Sequence, residues 1–149
     1  MNYYTPKQIV ETVSSVAASK ASTSTPKTLV LAFLAGAYIA IGGLLAVIIG
    51  GGIPGIAAEN PGIQKFLMGA AFPIGLMLCT LAGADLFTGN TAYFIPPVMD
   101  KKLRVTALLR NWTLVYFGNF VGALFVAYFM VALTGVLDKS PWLESIYSI

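Results

Sequence analysis

The sequence predicts an all-α membrane protein of three transmembrane helices with a broken second helix. Three observations carry that expectation. The 149 residues are 57% hydrophobic and 10% charged, against about 25% charged in an average globular chain. The charges leave long gaps: 31 residues between Lys27 and Glu59, 19 between Lys65 and Asp85, and 27 between Arg110 and Asp138. A hydrocarbon core of roughly 30 Å takes about 20 apolar helical residues to cross, so these gaps accommodate three spans. Within the second, Gly83-Ala84-Asp85-Leu86-Phe87-Thr88-Gly89-Asn90 sets a carboxylate, a hydroxyl and an amide where a plain span is apolar.

The same composition excludes whole classes. One cysteine, Cys79, makes no disulfide scaffold, and the chain holds no histidine. No nucleophile–base pair, metal cluster or phosphate loop emerges, so no enzyme, metal or cofactor is expected. The net charge of +3 does not point to nucleic acid, because the basic residues are sorted by position. Lys7, Lys20, Lys27, Lys101, Lys102, Arg104 and Arg110 fall on one side of a three-span arrangement, and Lys65 and Lys139 on the other. The positive-inside rule then sets the N-terminus in the cytoplasm and the protein in the cytoplasmic membrane.

Residues 1–27 read as a cytoplasmic amphipathic leader helix. Thr5-Pro6-Lys7-Gln8 offers an N-cap hydroxyl, a proline at the first helical position and a capping-box glutamine. Ile9, Val10, Val13, Val16 and Ala17 form its apolar stripe. Such a helix lies on the membrane surface or packs under the bundle.

Residues 28–137 form the three-span membrane domain. Span 1 is expected from Thr28 to Ile49, with Gly36, Gly42 and Gly43 allowing close helix approach. Gly50 to Pro61 reads as an exterior loop. Its Gly50, Gly52 and Gly55 match a dinucleotide-binding fingerprint by pattern alone, since no strand precedes them and Pro54 breaks the run.

In span 2, Ala71, Gly75, Cys79 and Gly83 recur every fourth residue and give a smooth stripe, with Phe72, Leu76 and Thr80 on the adjoining face. Phe66 to Ile95 would measure about 45 Å as one helix, too long for an untilted crossing, so an interruption at depth is expected. Span 3, from Asn111 to Leu137, carries a Gly118/Gly122 pair and a lone amide, Asn119, whose simplest role is one interhelical hydrogen bond. Residues 138–149 are left as an exterior tail.

A backbone break in a bilayer persists only where protein buries it or where it lines a water-filled path, and an ionisable residue at that depth is a functional candidate. Gly83, Asp85 and Gly89 are therefore the helix-break residues. Thr88 and Asn90 are the polar groups expected to face a path. The plainer reading of Asp85 is a cap on the half-helix that follows.

Gly83-Ala84-Asp85-Leu86-Phe87-Thr88, with Asn111-Trp112 and Val115-Tyr116-Phe117-Gly118-Asn119 further on, resembles the formate/nitrite transporter family. The resemblance implies an aquaporin-like subunit of two inverted three-span halves, assembled as a pentamer, passing formate, nitrite or related monovalent anions or their acids. It implies that Phe72, Leu76, Leu86 and Phe87 line constrictions, and that Leu86, Phe87 and Thr88 lie in the loop interrupting span 2. Members of the family run to about twice this length, and their second half supplies another broken span and a pore histidine. The expected partners are thus the lipid bilayer, a small anion, and further copies of the chain or a second half-subunit. The alternatives are a small membrane-embedded interaction subunit and a nonfunctional truncation.

Overall fold

The computed structural model describes residues 3–147, and those residues contain helices and no strands. The chain opens with α1 (Pro6–Ser22), α2 (Thr25–Gly51), α3 (Pro54–Glu59), α4 (Pro61–Ala71) and α5 (Pro73–Ala82). It continues with α6 (Phe87–Met99) and α7 (Val105–Val126), which runs into a π-helical turn (Ala127–Ala132), and ends with α8 (Trp142–Tyr147). Among the described residues, three segments are long and apolar enough to cross a membrane: Thr25–Gly51, Pro61–Ala82 and Val105–Ala132.

Helix α1 starts as its sequence dictates. Gln8 N donates to Thr5 Oγ1 at 3.4 Å, and the Gln8 side chain accepts from Thr5 N at 2.8 Å, completing the capping box. The helix packs on α6 and α7, so the leader lies against the bundle. Ala17 there is fully buried in a cluster with Phe94 and Leu108.

α2 and α7 form the central pair, and small residues set their closeness. A Cβ added at Gly122 would overlap the Phe33 carbonyl, one at Gly118 would overlap Ala32, and one at Gly36 would overlap the Asn119 carbonyl. Helices in lipid associate through such close packing rather than through a hydrophobic drive. Of the stripe Ala71, Gly75, Cys79 and Gly83, the first three are buried and Gly83, which ends α5, is exposed. A Cβ on Gly75 would crowd the Tyr38 carbonyl of α2 at 2.7 Å.

Four expectations change. Gly50 to Pro61 is not a loop, since α2 persists to Gly51 and α3 fills Pro54–Glu59. Pro54 and Pro61 each open a helix, where a missing N–H costs nothing. Span 2 is divided once more than expected, because Pro73 carries no N–H and separates α4 from α5 at Phe72. Span 3 begins earlier, at Val105, and its helix ends at Ala132. The tail is docked: Trp142 Nε1 donates to the Ile48 carbonyl at 2.9 Å, tying α8 to the end of α2.

Candidate functional site

The break in span 2 occupies Gly83 to Leu86, and one residue makes it. Gly83 sits in the left-handed region at φ 63°, ψ 29°, ending α5. Gly83 N donates to Thr80 O at 3.3 Å and Ala84 N to Cys79 O at 2.9 Å, closing the last turn. Glycine takes this conformation without the Cβ penalty other residues meet. The 22 residues Pro61–Ala82 already reach ~33 Å, so the break falls near one end of the crossing rather than at its middle. It lies opposite Leu31 and Ala32, an early turn of α2.

Beyond Gly83 the freed backbone is satisfied by the neighbouring helices. Asp85 N donates to the Leu31 carbonyl at 3.1 Å. Asn119 of α7 does the rest. Its Nδ2 donates to the Asp85 carbonyl at 2.9 Å and to the Ala32 carbonyl at 2.8 Å, while its Oδ1 accepts from Phe87 N at 2.9 Å. A single carboxamide thus brackets Leu86 on both sides and ties it to α2. Asn119 is more than the one interhelical bond its position suggested. The sequence signals were a lone amide in an apolar helix and its place in the Val115–Asn119 motif.

The Asp85 carboxylate does not cap α6, whose N-cap is Leu86 with no side-chain bond. It is 2% exposed and forms an ion pair with Lys20 of α1. The Lys20 ammonium also stands 6.0 Å from the centre of the Tyr93 ring. A cation read from sequence only as a topology signal is therefore the counter-charge of the break. The α1–α2 joint is held as well, because Arg110 Nη2 donates to the Thr23 carbonyl at 3.2 Å and to Thr25 Oγ1 at 2.8 Å.

Helix α6 resumes at once. Phe87, Thr88 and Gly89, expected within the interruption, form its first turn instead. A single left-handed residue suffices for the break, and nothing after Leu86 forbids helical dihedrals. Asn90 is also helical and fully buried. Its Nδ2 donates to Asn111 Oδ1 of α7 at 2.9 Å, so the amide is turned into the α6–α7 contact rather than toward a path. Thr88 is exposed. Phe87 is wedged edge-on against Tyr116, with ring centres 5.4 Å apart.

Two clefts flank the break. One, of about 240 Å³, is bordered by Lys20, Leu76, Thr80, Leu86, Gly89 and Asn90, among others. The other, of about 300 Å³, is bordered by Leu86, Phe87, Thr88, Tyr116, Asn119 and Phe120, among others. Leu86 borders both. Phe72 is exposed and borders neither. Among the described residues no group of three His, Cys, Asp or Glu side chains is placed to hold a metal.

Three apolar spans, one of them broken and repaired by side chains of its neighbours, define an integral membrane protein built around an irregular segment. The chain belongs to the formate/nitrite transporter family, whose family model matches residues 7–149. It is a family of transporters and channels, not of enzymes. The chain is 43% identical over 141 residues to a probable formate transporter of Methanothermobacter thermautotrophicus, covering 95% of this chain and 51% of that protein. It is 40% identical over 139 residues to a formate channel of Bacillus thuringiensis, covering 93% and 52%. An uncharacterized transporter of Bacillus subtilis is 39% identical over 150 residues, covering 100% and 55%. The chain spans about half the length of these relatives.

Proposed function

We propose that this chain forms one half of a path by which small monovalent anions, formate or nitrite among them, or their acids cross the cytoplasmic membrane. The observation that supports the reading best is Leu86. An apolar side chain on clamped, irregular backbone separates two clefts, one bordered by a lysine and the other by a threonine. In this reading Leu86 and Phe87 form the constriction, with Leu76 and Phe72 on the same wall. Thr88 supplies the polar contact, and Gly83, Asp85 and Gly89 shape the segment. Asn90 contributes through its place on the wall rather than through a free amide.

The relatives' length supports a second half that closes the path in an aquaporin-like subunit, provided by a longer chain, a separate half-subunit or further copies in a pentamer. An isolated carboxylate is expensive in an apolar constriction, whereas its neutral acid is not. Passage of the acid together with its proton follows from that difference, and a histidine in the second half, with an unperturbed pKa of about 6.5, suits the handover. The N-terminus is cytoplasmic in this proposal. The Arg110 tie gathers α1, the start of α2 and the start of α7 at one end, the end that holds seven of the nine basic residues.

Proteoliposomes test the half-path. The purified 149-residue chain is expected to insert yet show little or no uptake of labelled formate, because three spans supply one wall of an inverted-repeat path. Adding a matching three-span partner with its own interrupted span restores uptake. Robust uptake by the chain alone would replace this proposal with a pore made only of copies of the chain.

Thr88→Val separates a permeation role from a structural one. The Thr88 hydroxyl is exposed and makes no hydrogen bond among the described residues; its carbonyl accepts from Thr91 Oγ1 at 2.7 Å. Valine keeps the shape and removes the donor and acceptor. In a flux-competent assembly the expected result is roughly a tenfold loss of formate flux, as for about 1–3 kcal/mol of lost hydrogen bonding, with yield and oligomer size unchanged. Unchanged flux would move the polar contact to another residue.

A further inference from the structure

Two polar atoms between α6 and α7 stand without partners. Asn90 and Asn111 are 0% and 1% exposed. Their one mutual bond, Asn90 Nδ2 to Asn111 Oδ1, uses half of each carboxamide. The other halves, Asn90 Oδ1 and Asn111 Nδ2, meet no hydrogen-bond partner among the described residues. Rotating both amides by half a turn only exchanges the roles: an inner pair still bonds, and one acceptor and one donor are still left over. Buried polar atoms are almost always partnered.

We infer that one ordered water molecule is bound between α6 and α7, donating to Asn90 Oδ1 and accepting from Asn111 Nδ2. The chemistry of the two atoms selects the ligand. A cation would suit Asn90 Oδ1 and be repelled by the amide hydrogens of Asn111; a carboxylate or nitrite would do the reverse. Only a small neutral molecule that both donates and accepts satisfies the pair, and a buried water typically serves two to four such partners. Asn90 also borders the cleft that holds Lys20, so the junction lies beside that cleft. The Trp112 indole, donating to the Asn90 carbonyl at 3.3 Å, holds the local backbone of α6 against α7. The water completes that junction two residues after Thr88, so it helps to fix the rotation of α6 on which the Thr88 hydroxyl depends.

The test is a map of the protein in nanodiscs at a resolution that reveals ordered water, joined to thermal unfolding of two variants. A density peak within hydrogen-bond distance of both Asn90 Oδ1 and Asn111 Nδ2 is the expected result. Asn111→Leu removes the peak and lowers Tm by several degrees, because Asn90 then loses both partners. Asn90→Leu/Asn111→Leu regains much of that loss, since no polar atom remains to satisfy. The inference is overturned if the two carboxamides close on each other as a reciprocal pair with nothing between them. It is equally overturned by a peak with the coordination distances of an ion, or by an Asn111→Leu variant as stable as the parent. Should that variant fail to assemble, the map of the parent protein decides alone.

Discussion

Replacing Lys20 with methionine is expected to destabilise the protein far more than replacing its partner. Lys20→Met leaves the Asp85 carboxylate, 2% exposed, without a counter-charge inside an apolar bundle. Removing one member of a buried pair typically costs about 3–5 kcal/mol. Asp85→Asn leaves the lysine instead, whose side chain is 20% exposed and whose flexible stem can carry the ammonium toward water. The order of melting temperatures should therefore be parent, then Asp85→Asn, then Lys20→Met. Lys20→Met/Asp85→Leu should recover most of the loss, because no charge is then stranded. Thermal unfolding in detergent reads all four proteins. A Lys20→Met variant no worse than Asp85→Asn would mean that the carboxylate finds another partner.

Asn119→Leu is the second large effect. It removes the side-chain partner of two backbone groups at the break, Phe87 N–H and the Asp85 carbonyl, and a second donor to the Ala32 carbonyl. Each unsatisfied buried group costs about 1–3 kcal/mol, and lipid supplies no substitute donor or acceptor. The Ala32 carbonyl keeps its place in the α2 helix, so the damage concentrates on the break. Hydrogen exchange should accelerate strongly over residues 83–90 and stay near the parent level in α4, which Asn119 does not touch. Uniform acceleration along the chain would make Asn119 a general packing residue rather than a clamp on the break.

Local physics made much of this fold readable. The leader's start follows from four adjacent residues, Thr5 to Gln8, whose capping pattern needs no tertiary contact. The small-residue stripe of span 2 follows from four-residue spacing, and the break from a glycine beside a carboxylate. What escaped the sequence was long-range. Lys20 and Asp85 are 65 residues apart, and Asn119 and Asp85 are 34 apart; no periodicity connects them. The polar run also misplaced the boundary of the break. Thr88, Gly89 and Asn90 look like loop residues, yet helix propensity differences of about 1 kcal/mol or less do not prevent a first turn once Asn119 holds Phe87 N–H. Asn90 was read as a free amide because its partner, Asn111, lies 21 residues on, in what looked like the plain start of another span.

The seating of the leader has a consequence for the order in which the protein is made. Helix α1 is made before everything it rests on: its contacts are with α6 and α7, its counter-ion is Asp85, and the staple on its joint is Arg110. Asp85 lies 65 residues beyond Lys20, and Arg110 lies 87 beyond Thr23. Contacts this distant along the chain must await closure of a long loop. During translation the amphipathic helix is left with its apolar stripe unpaired, held by the membrane interface alone. Lys20 meets Asp85 only after the second span has been threaded and its broken end brought back against α2. A helix made early is thus seated late.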